Sequence, residues 1–182
     1  MRSSSHLASL LKRCSDFQNV RKIHGVIVST GFEKNSILLA KLIDACSSLE
    51  LYGYVYSLFS ARAVREVYLF NSVIKALSKS SNFAKRVVMM YGEIRGVGLE
   101  PDTYSVPLAL RAVSLLLDVR AGRQVHCGSL VSGLSLDVNV ATGLVKMYWD
   151  CGFGDDARKV FDEMKMKGKD VFLLECDGGG LC

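Results

Sequence analysis

The sequence predicts an all-α fold of stacked helical hairpins, and three observations carry that prediction. One segment of the chain recurs at a constant spacing. Apolar residues recur at the helical period along nearly all of it. Turn-forming residues separate the apolar stretches at short intervals. Of the 182 residues, 49% are apolar and 23% are charged, a composition that can build a packed core. Only Pro101 and Pro107 interrupt a chain otherwise compatible with helix.

The recurrence joins VRKIHGVIVSTGFEKN (Val20 to Asn35) to GRQVHCGSLVSGLSLD (Gly122 to Asp137). His24 and His126 stand 102 residues apart, and so do Gly31 and Gly133, Leu42 and Leu144, and Phe59 and Phe161. A helix-turn-helix unit takes about 35 residues, so this spacing is read as three units.

The helices follow in order from the i, i+3, i+4, i+7 pattern, which lays one apolar stripe along one helix face. Leu7, Leu10, Leu11 and Cys14 open the series. Val20, Ile23, His24 and Ile27 follow, then Leu39, Leu42, Ile43 and Cys46. Next come Phe70, Val73, Ile74 and Leu77, and then Val87, Met90, Tyr91 and Ile94. Val106, Ala109, Leu110 and Val113 make another set. The last two are Ala141, Leu144, Val145 and Tyr148, and Ala157, Val160, Phe161 and Met164.

Breakers divide these stripes. SKSSN (Ser78 to Asn82) parts two helices, and Gly152 and Gly154 flank Phe153 at another turn. Leu99 to Asp102 closes one hairpin and opens the next, because the residue before a proline avoids helical backbone. Five units result, at about 4–35, 36–66, 67–102, 103–137 and 138–170, with an irregular tail over 171–182 that holds three consecutive glycines. A single hairpin cannot bury its own stripe, so neighbouring hairpins must stack.

The chemistry-bearing residues narrow the function. The net charge of +5 suits a phosphate-bearing partner, and equally an ordinary soluble surface. The six cysteines form no CxxC pair and no zinc-finger spacing with histidine, so no metal and no cofactor is expected. His24 and His126 lie on apolar stripes and read as core or inter-helix hydrogen-bonding residues. No apolar run reaches membrane-spanning length, since Arg111 breaks the richest one, Val106 to Leu117. The first fifteen residues contain no acid, several serines, and Arg2, Lys12 and Arg13. That composition resembles an organelle transit peptide, although the same residues also form the first helix.

At FNSVIKALSKSSN (Phe70 to Asn82) with GVGLEPD (Gly96 to Asp102), the chain resembles the plant pentatricopeptide-repeat unit. GRQVH with VSGLSLD is similar to the long variant of that unit, and VKMYWDCGFGDDARKVFDEM (Val145 to Met164) to the short one. The order long, short, standard, long, short resembles the PLS class of that family, over roughly residues 6–170. The resemblance implies a right-handed superhelix (an α-α solenoid) that binds single-stranded organellar RNA, one repeat facing one base. It also implies a specificity pair in each unit, one residue early in the first helix and one at the unit's end. In the standard unit the pair is Asn71 and Asp102, which in the family favours uridine. In the last unit it is Thr142 with Asp170, which would favour guanosine. The other first positions are Ala8, Ala40 and Pro107, with Asn35, Glu66 and Asp137 at the unit ends. Ala40 with Glu66 and Pro107 with Asp137 match no strong pair.

The chemistry of these pairs is coherent. An asparagine offers a donor and an acceptor to a base edge, a threonine hydroxyl offers either, and a neighbouring aspartate can orient them. Asn71 also reads as a helix N-cap, for which asparagine is favoured. The resemblance further implies a non-catalytic role in site recognition for C-to-U editing, with RNA-editing proteins as partners, in the mitochondrion or alternatively the chloroplast. The cytidine deaminase carried by some members needs His-x-Glu and Cys-x-x-Cys. None of His6, His24 and His126 is followed two residues later by glutamate, so no enzyme is expected. The lengthened stretch Lys165 to Asp170 and the stop at Cys182 depart from the family pattern and suggest a truncated product. The competing readings are a helical-repeat scaffold for protein partners and an inactive remnant.

Overall fold

The computed structural model describes residues 3–60, 66–94, 96 and 98–166. Among them are ten α-helices and no strand. They are α1 (Ser4–Lys12), α2 (Phe17–Ser29), α3 (Ser36–Ser48), α4 (Tyr52–Ser60) and α5 (Val67–Leu77), followed by α6 (Ala84–Glu93), α7 (Ser105–Leu116), α8 (Val119–Val131), α9 (Val138–Asp150) and α10 (Gly154–Met166). This is the all-α helical repeat that the apolar periodicity predicts. The tail expected at 171–182 lies outside the described residues.

The chain divides into two compact units, Met1–Phe83 with Gly92–Glu100, and Ala84–Tyr91 with Pro101–Cys182. In the first, α1 packs on α3 and α3 on α5, while α2 lies against α1 and α3, and α4 against α3 and α5. Leu7, Leu11, Leu38, Leu42, Phe70, Ile74, Leu77 and Ile94 are among its large fully buried side chains, with Ile27 of α2. Phe59 meets Phe70 edge-on, at 5.9 Å between ring centres. Each buried leucine of this kind is worth about 2–5 kcal/mol against alanine.

In the second unit α7 packs on α9, and α8 and α10 flank that pair. Val106, Ala109, Leu110 and Val113 meet Val140, Ala141, Leu144, Met147 and Tyr148 in one core with Val125, Val160 and Met164. Two glycines lie where the helices approach. A Cβ on Gly122 would stand 2.4 Å from the Met147 sulfur, so a side chain there would have to displace the end of Met147. A Cβ on Gly143 would stand 3.1 Å from Leu110 Cδ1 and 3.7 Å from Pro107 Cα, so α7 and α9 are nearly in backbone contact there.

The turns inside three hairpins share one geometry. Leu51 N–H donates to the Cys46 carbonyl (2.9 Å), Asp118 to Val113 (3.4 Å) and Phe153 to Tyr148 (2.8 Å). Each turn passes through a left-handed residue, at Glu50 (φ 58°), Leu117 (φ 53°) and Gly152 (φ 82°). Only the last of these is a glycine, the residue that adopts this backbone without steric penalty. The recurring pair Gly31 and Gly133 has the same conformation, with φ 74° and 68°, just after α2 and α8.

Candidate nucleic-acid interface

The unit-end residues Asn35, Glu66 and Asp137 are the N-caps of the helices that follow, and Asp102 stands two residues before Tyr104, the N-cap of α7. A helix leaves its first N–H groups without backbone partners, and a short acceptor side chain just before the helix satisfies them. Asn35 Oδ1 accepts from the Leu38 N–H at 2.9 Å and so opens α3. Asp137 Oδ1 accepts from Asn139 (2.9 Å) and Val140 (3.2 Å) and opens α9. Asp102 Oδ1 accepts from Tyr104 (3.0 Å) and Ser105 (2.8 Å), and its own N–H donates to Ser105 Oγ (2.9 Å), a reciprocal turn that leads into α7. Glu66 holds the same place before α5 with no side-chain cap bond. Its side chain is one methylene longer than aspartate's, which works against the tight ring that a cap requires. Asp170 lies outside the described residues.

The first positions of the pairs stand five residues beyond the unit ends, at Ala40, Asn71, Pro107 and Thr142. Asn71 is the fifth residue of α5, so it is not an N-cap of that helix. Asn71, Pro107 and Thr142 are half-buried. The Thr142 hydroxyl makes no hydrogen bond to any described residue, which leaves it open to a ligand. Ala40 is 1% exposed, so its methyl belongs to the packed interior of the first unit and offers no contact surface. Asn71 lies in the first compact unit and Asp102 in the second, whereas Pro107, Asp137 and Thr142 share the second.

A further register was missed in the sequence. Two residues past Asn35, Glu66 and Asp102 stand Ile37, Tyr68 and Tyr104, which are 63%, 57% and 74% exposed, whereas two past Asp137 stands the polar Asn139. Isolated exposed apolar side chains are ordinary. Three at one register position of successive first helices are a pattern, and counting from the unit ends is the signal that finds it.

The opposite helices, α2, α4, α8 and α10, carry different chemistry. His24 Nδ1 lies 2.6 Å from the Tyr54 hydroxyl, and His126 Nδ1 lies 3.0 Å from that of Tyr148. Burial pushes His126 below its ordinary pKa, with Glu163 and Asp156 opposing. Burial pushes Tyr148 up, aided by the nearby Asp156 carboxylate. Arg123 and Lys159 hold Asp156 below the usual carboxylate range. Burial pushes Cys46 up to about 12, so it is a small core side chain and not a nucleophile. Among the described residues no three His, Cys, Asp or Glu side chains are grouped to hold a metal ion. Among the same residues no helix is long and apolar enough to cross a membrane.

No protein-family model matches the chain. Known relatives do. A pentatricopeptide repeat-containing protein of Arabidopsis thaliana is 33% identical over 176 residues, which cover 96% of this chain and 33% of the relative. A second from the same plant, described as mitochondrial, is 33% identical over 154 residues, covering 85% of this chain and 27% of its own. A third, described as chloroplastic/mitochondrial, is 29% identical over 160 residues, covering 86% and 25%. The chain thus spans about a quarter to a third of the length of these relatives.

Proposed function

Since this chain belongs to the pentatricopeptide-repeat family, we propose that it binds single-stranded RNA along the first helix of each hairpin, as a non-catalytic adaptor inside an organelle. The observation that carries this reading is the register counted from the unit ends. Two residues past Asn35, Glu66 and Asp102 stands an exposed apolar or aromatic side chain, and five past each unit end stands the residue that would meet a base edge. Tyr68 and Tyr104 offer flat faces on which bases can stack, an attraction of about 1–3 kcal/mol per base that tolerates any sequence. Asn71 and Thr142 then supply the hydrogen bonds that discriminate. The cap residues contribute through position: Asp102 and Asp137 accept hydrogen bonds from N–H groups at the start of α7 and α9.

We assign the target site to RNA modification, specifically the recognition step of C-to-U editing, because the long, short, standard order of the units resembles the PLS class. The chain would act there beside RNA-editing proteins. The acid-free N-terminal stretch supports import into an organelle, and the mitochondrion is our choice over the chloroplast.

The test is a competition series of short single-stranded RNAs differing at one base, run against the wild-type chain and Asn71→Thr. The expected result is a shift of preference from uridine toward guanosine at one position. If both proteins bind RNA and rank the four bases identically, base reading by Asn71 is wrong. If neither retains RNA at low salt, the RNA reading itself falls.

A further inference from the structure

We propose that Arg111 and Lys146 are phosphate-gripping residues, set one helical turn beyond the base-facing positions of the second compact unit. The inference rests on the RNA reading above and adds the backbone contact that the base-facing residues cannot supply. Arg111 follows Pro107 by four residues on α7, and Lys146 follows Thr142 by four on α9. Side chains four apart share one helix face, so each cation lies on the face that carries its base-facing residue. The close approach of α7 to α9 at Gly143 and Pro107 sets these two helices side by side. Packed helices sit about 8–10 Å apart, so the two cations recur along the row at about that interval. A strand whose bases face Pro107 and Thr142 would bring its phosphates past this pair.

Neither member of the pair is tightly held by an acid. Arg111 is exposed, α7 has no acidic residue, and Arg111 forms no ion pair with any described residue. Lys146 lies 3.9 Å from Asp150 with its side chain 66% exposed, an arrangement that solvent largely screens. Three cations of α8 and α10 also pair with acids of α10, whereas exposed Arg120 on α8 forms no ion pair with any described residue. Arg123 lies 3.2 Å from Asp156, Lys159 3.3 Å from Asp156, and Arg158 3.8 Å from Asp162. Within the first unit the same register places exposed Lys75 four residues after Asn71, while the buried Ala40 is followed by Asp44. The cation is present where the base-facing residue is accessible and absent where it is not.

The experiment measures affinity for a short single-stranded RNA against salt concentration, for the wild-type chain, Arg111→Gln, Lys146→Gln, the double variant, and Lys159→Gln. Each phosphate contact on a single strand contributes about 0.7 to the slope of log affinity against log salt. Each single variant at 111 or 146 is expected to flatten the slope by about 0.7, and the double variant by twice that, with the ranking of the four bases unchanged. Lys159→Gln is expected to keep the wild-type slope. A double variant that binds RNA with the wild-type slope overturns the proposal, and so does a Lys159 variant that flattens it equally. Failure of the wild-type chain to bind at low salt removes the RNA reading and this inference with it, an outcome distinct from an unchanged slope.

Discussion

His126 and Tyr148 are bound through Nδ1 and the phenol oxygen at 3.0 Å, whereas His24, 102 residues earlier, finds its phenol on a different kind of helix. Tyr148 comes from α9, a first helix of its hairpin, and Tyr54 from α4, a second one. The histidine register is therefore repeated while its partner is replaced. An imidazole half-buried beside a hydroxyl is stable when neutral, because one ring nitrogen can accept as the other donates. Burial lowers the pKa of His126 in the folded state, so the unfolded chain binds the proton more readily. Stability contributed by the neutral ring is present above the ordinary histidine value, about 6.5, and is lost as pH falls through it toward the lower folded value. Urea unfolding at a series of pH values should show this acid-side loss. His126→Gln keeps a hydrogen-bonding group without a titration and should flatten it. An unchanged profile in the variant would assign the loss to other groups.

The left-handed turns should respond to glycine in opposite senses. Leu117→Gly removes a side chain from backbone that L-residues adopt at a cost of about 1–2 kcal/mol, and most of that should be regained. Gly133→Ala should lose a similar amount. Gly128 lies inside α8 with open space where a Cβ would sit, so Gly128→Ala should stabilise by about 0.5–1 kcal/mol. Chemical denaturation of the three variants tests the set. A gain from Gly133→Ala would contradict the backbone assignment.

Capping makes a prediction in both directions. Asp137→Ala should cost about 1 kcal/mol through the two N–H groups it leaves without their acceptor. Glu66→Asp should gain a comparable amount by supplying α5 with the cap bond it lacks. Amide hydrogen exchange in the first turns of α9 and α5 is the direct measurement. The protection of Asn139 and Val140 should fall in the first variant, and that of the residues after Glu66 should rise in the second.

Gly122→Ala should destabilise by about 1–3 kcal/mol, since the new methyl meets the Met147 sulfur. Shortening the neighbour in Gly122→Ala/Met147→Val should recover part of it. Thermal unfolding that shows no coupling between the two sites would mean that α8 shifts away freely.

Much of this architecture was legible because eight of the ten helices bury leucine, isoleucine, valine or aromatic side chains at helical spacing. The two without such a stripe, α4 and α8, show where the method ends. In α8 the buried positions include Gly122, Val125 and Ser129, chosen for closeness and not for hydrophobicity. An apolar count does not register them. In α4 only Val55 is buried outright. The candidate site divided in the same way. The unit-end residues Asn35, Asp102 and Asp137 were singled out, but their capping role rests on backbone geometry that no single residue announces. Asn71 reads as a cap in sequence but lies inside its helix, and Ala40 reads as a contact that its burial denies.

The caps also determine where this chain can be cut and rejoined. A unit that ends on its cap residue carries away the group that starts its neighbour's first helix. Exchange at 66–67 or 137–138 would therefore splice a foreign cap onto a resident helix. A cassette running from one cap to the residue before the next, such as 102–136, transplants each helix together with its own initiator. Shuffled arrays assembled on that frame should keep their helix starts whatever the order of the pieces.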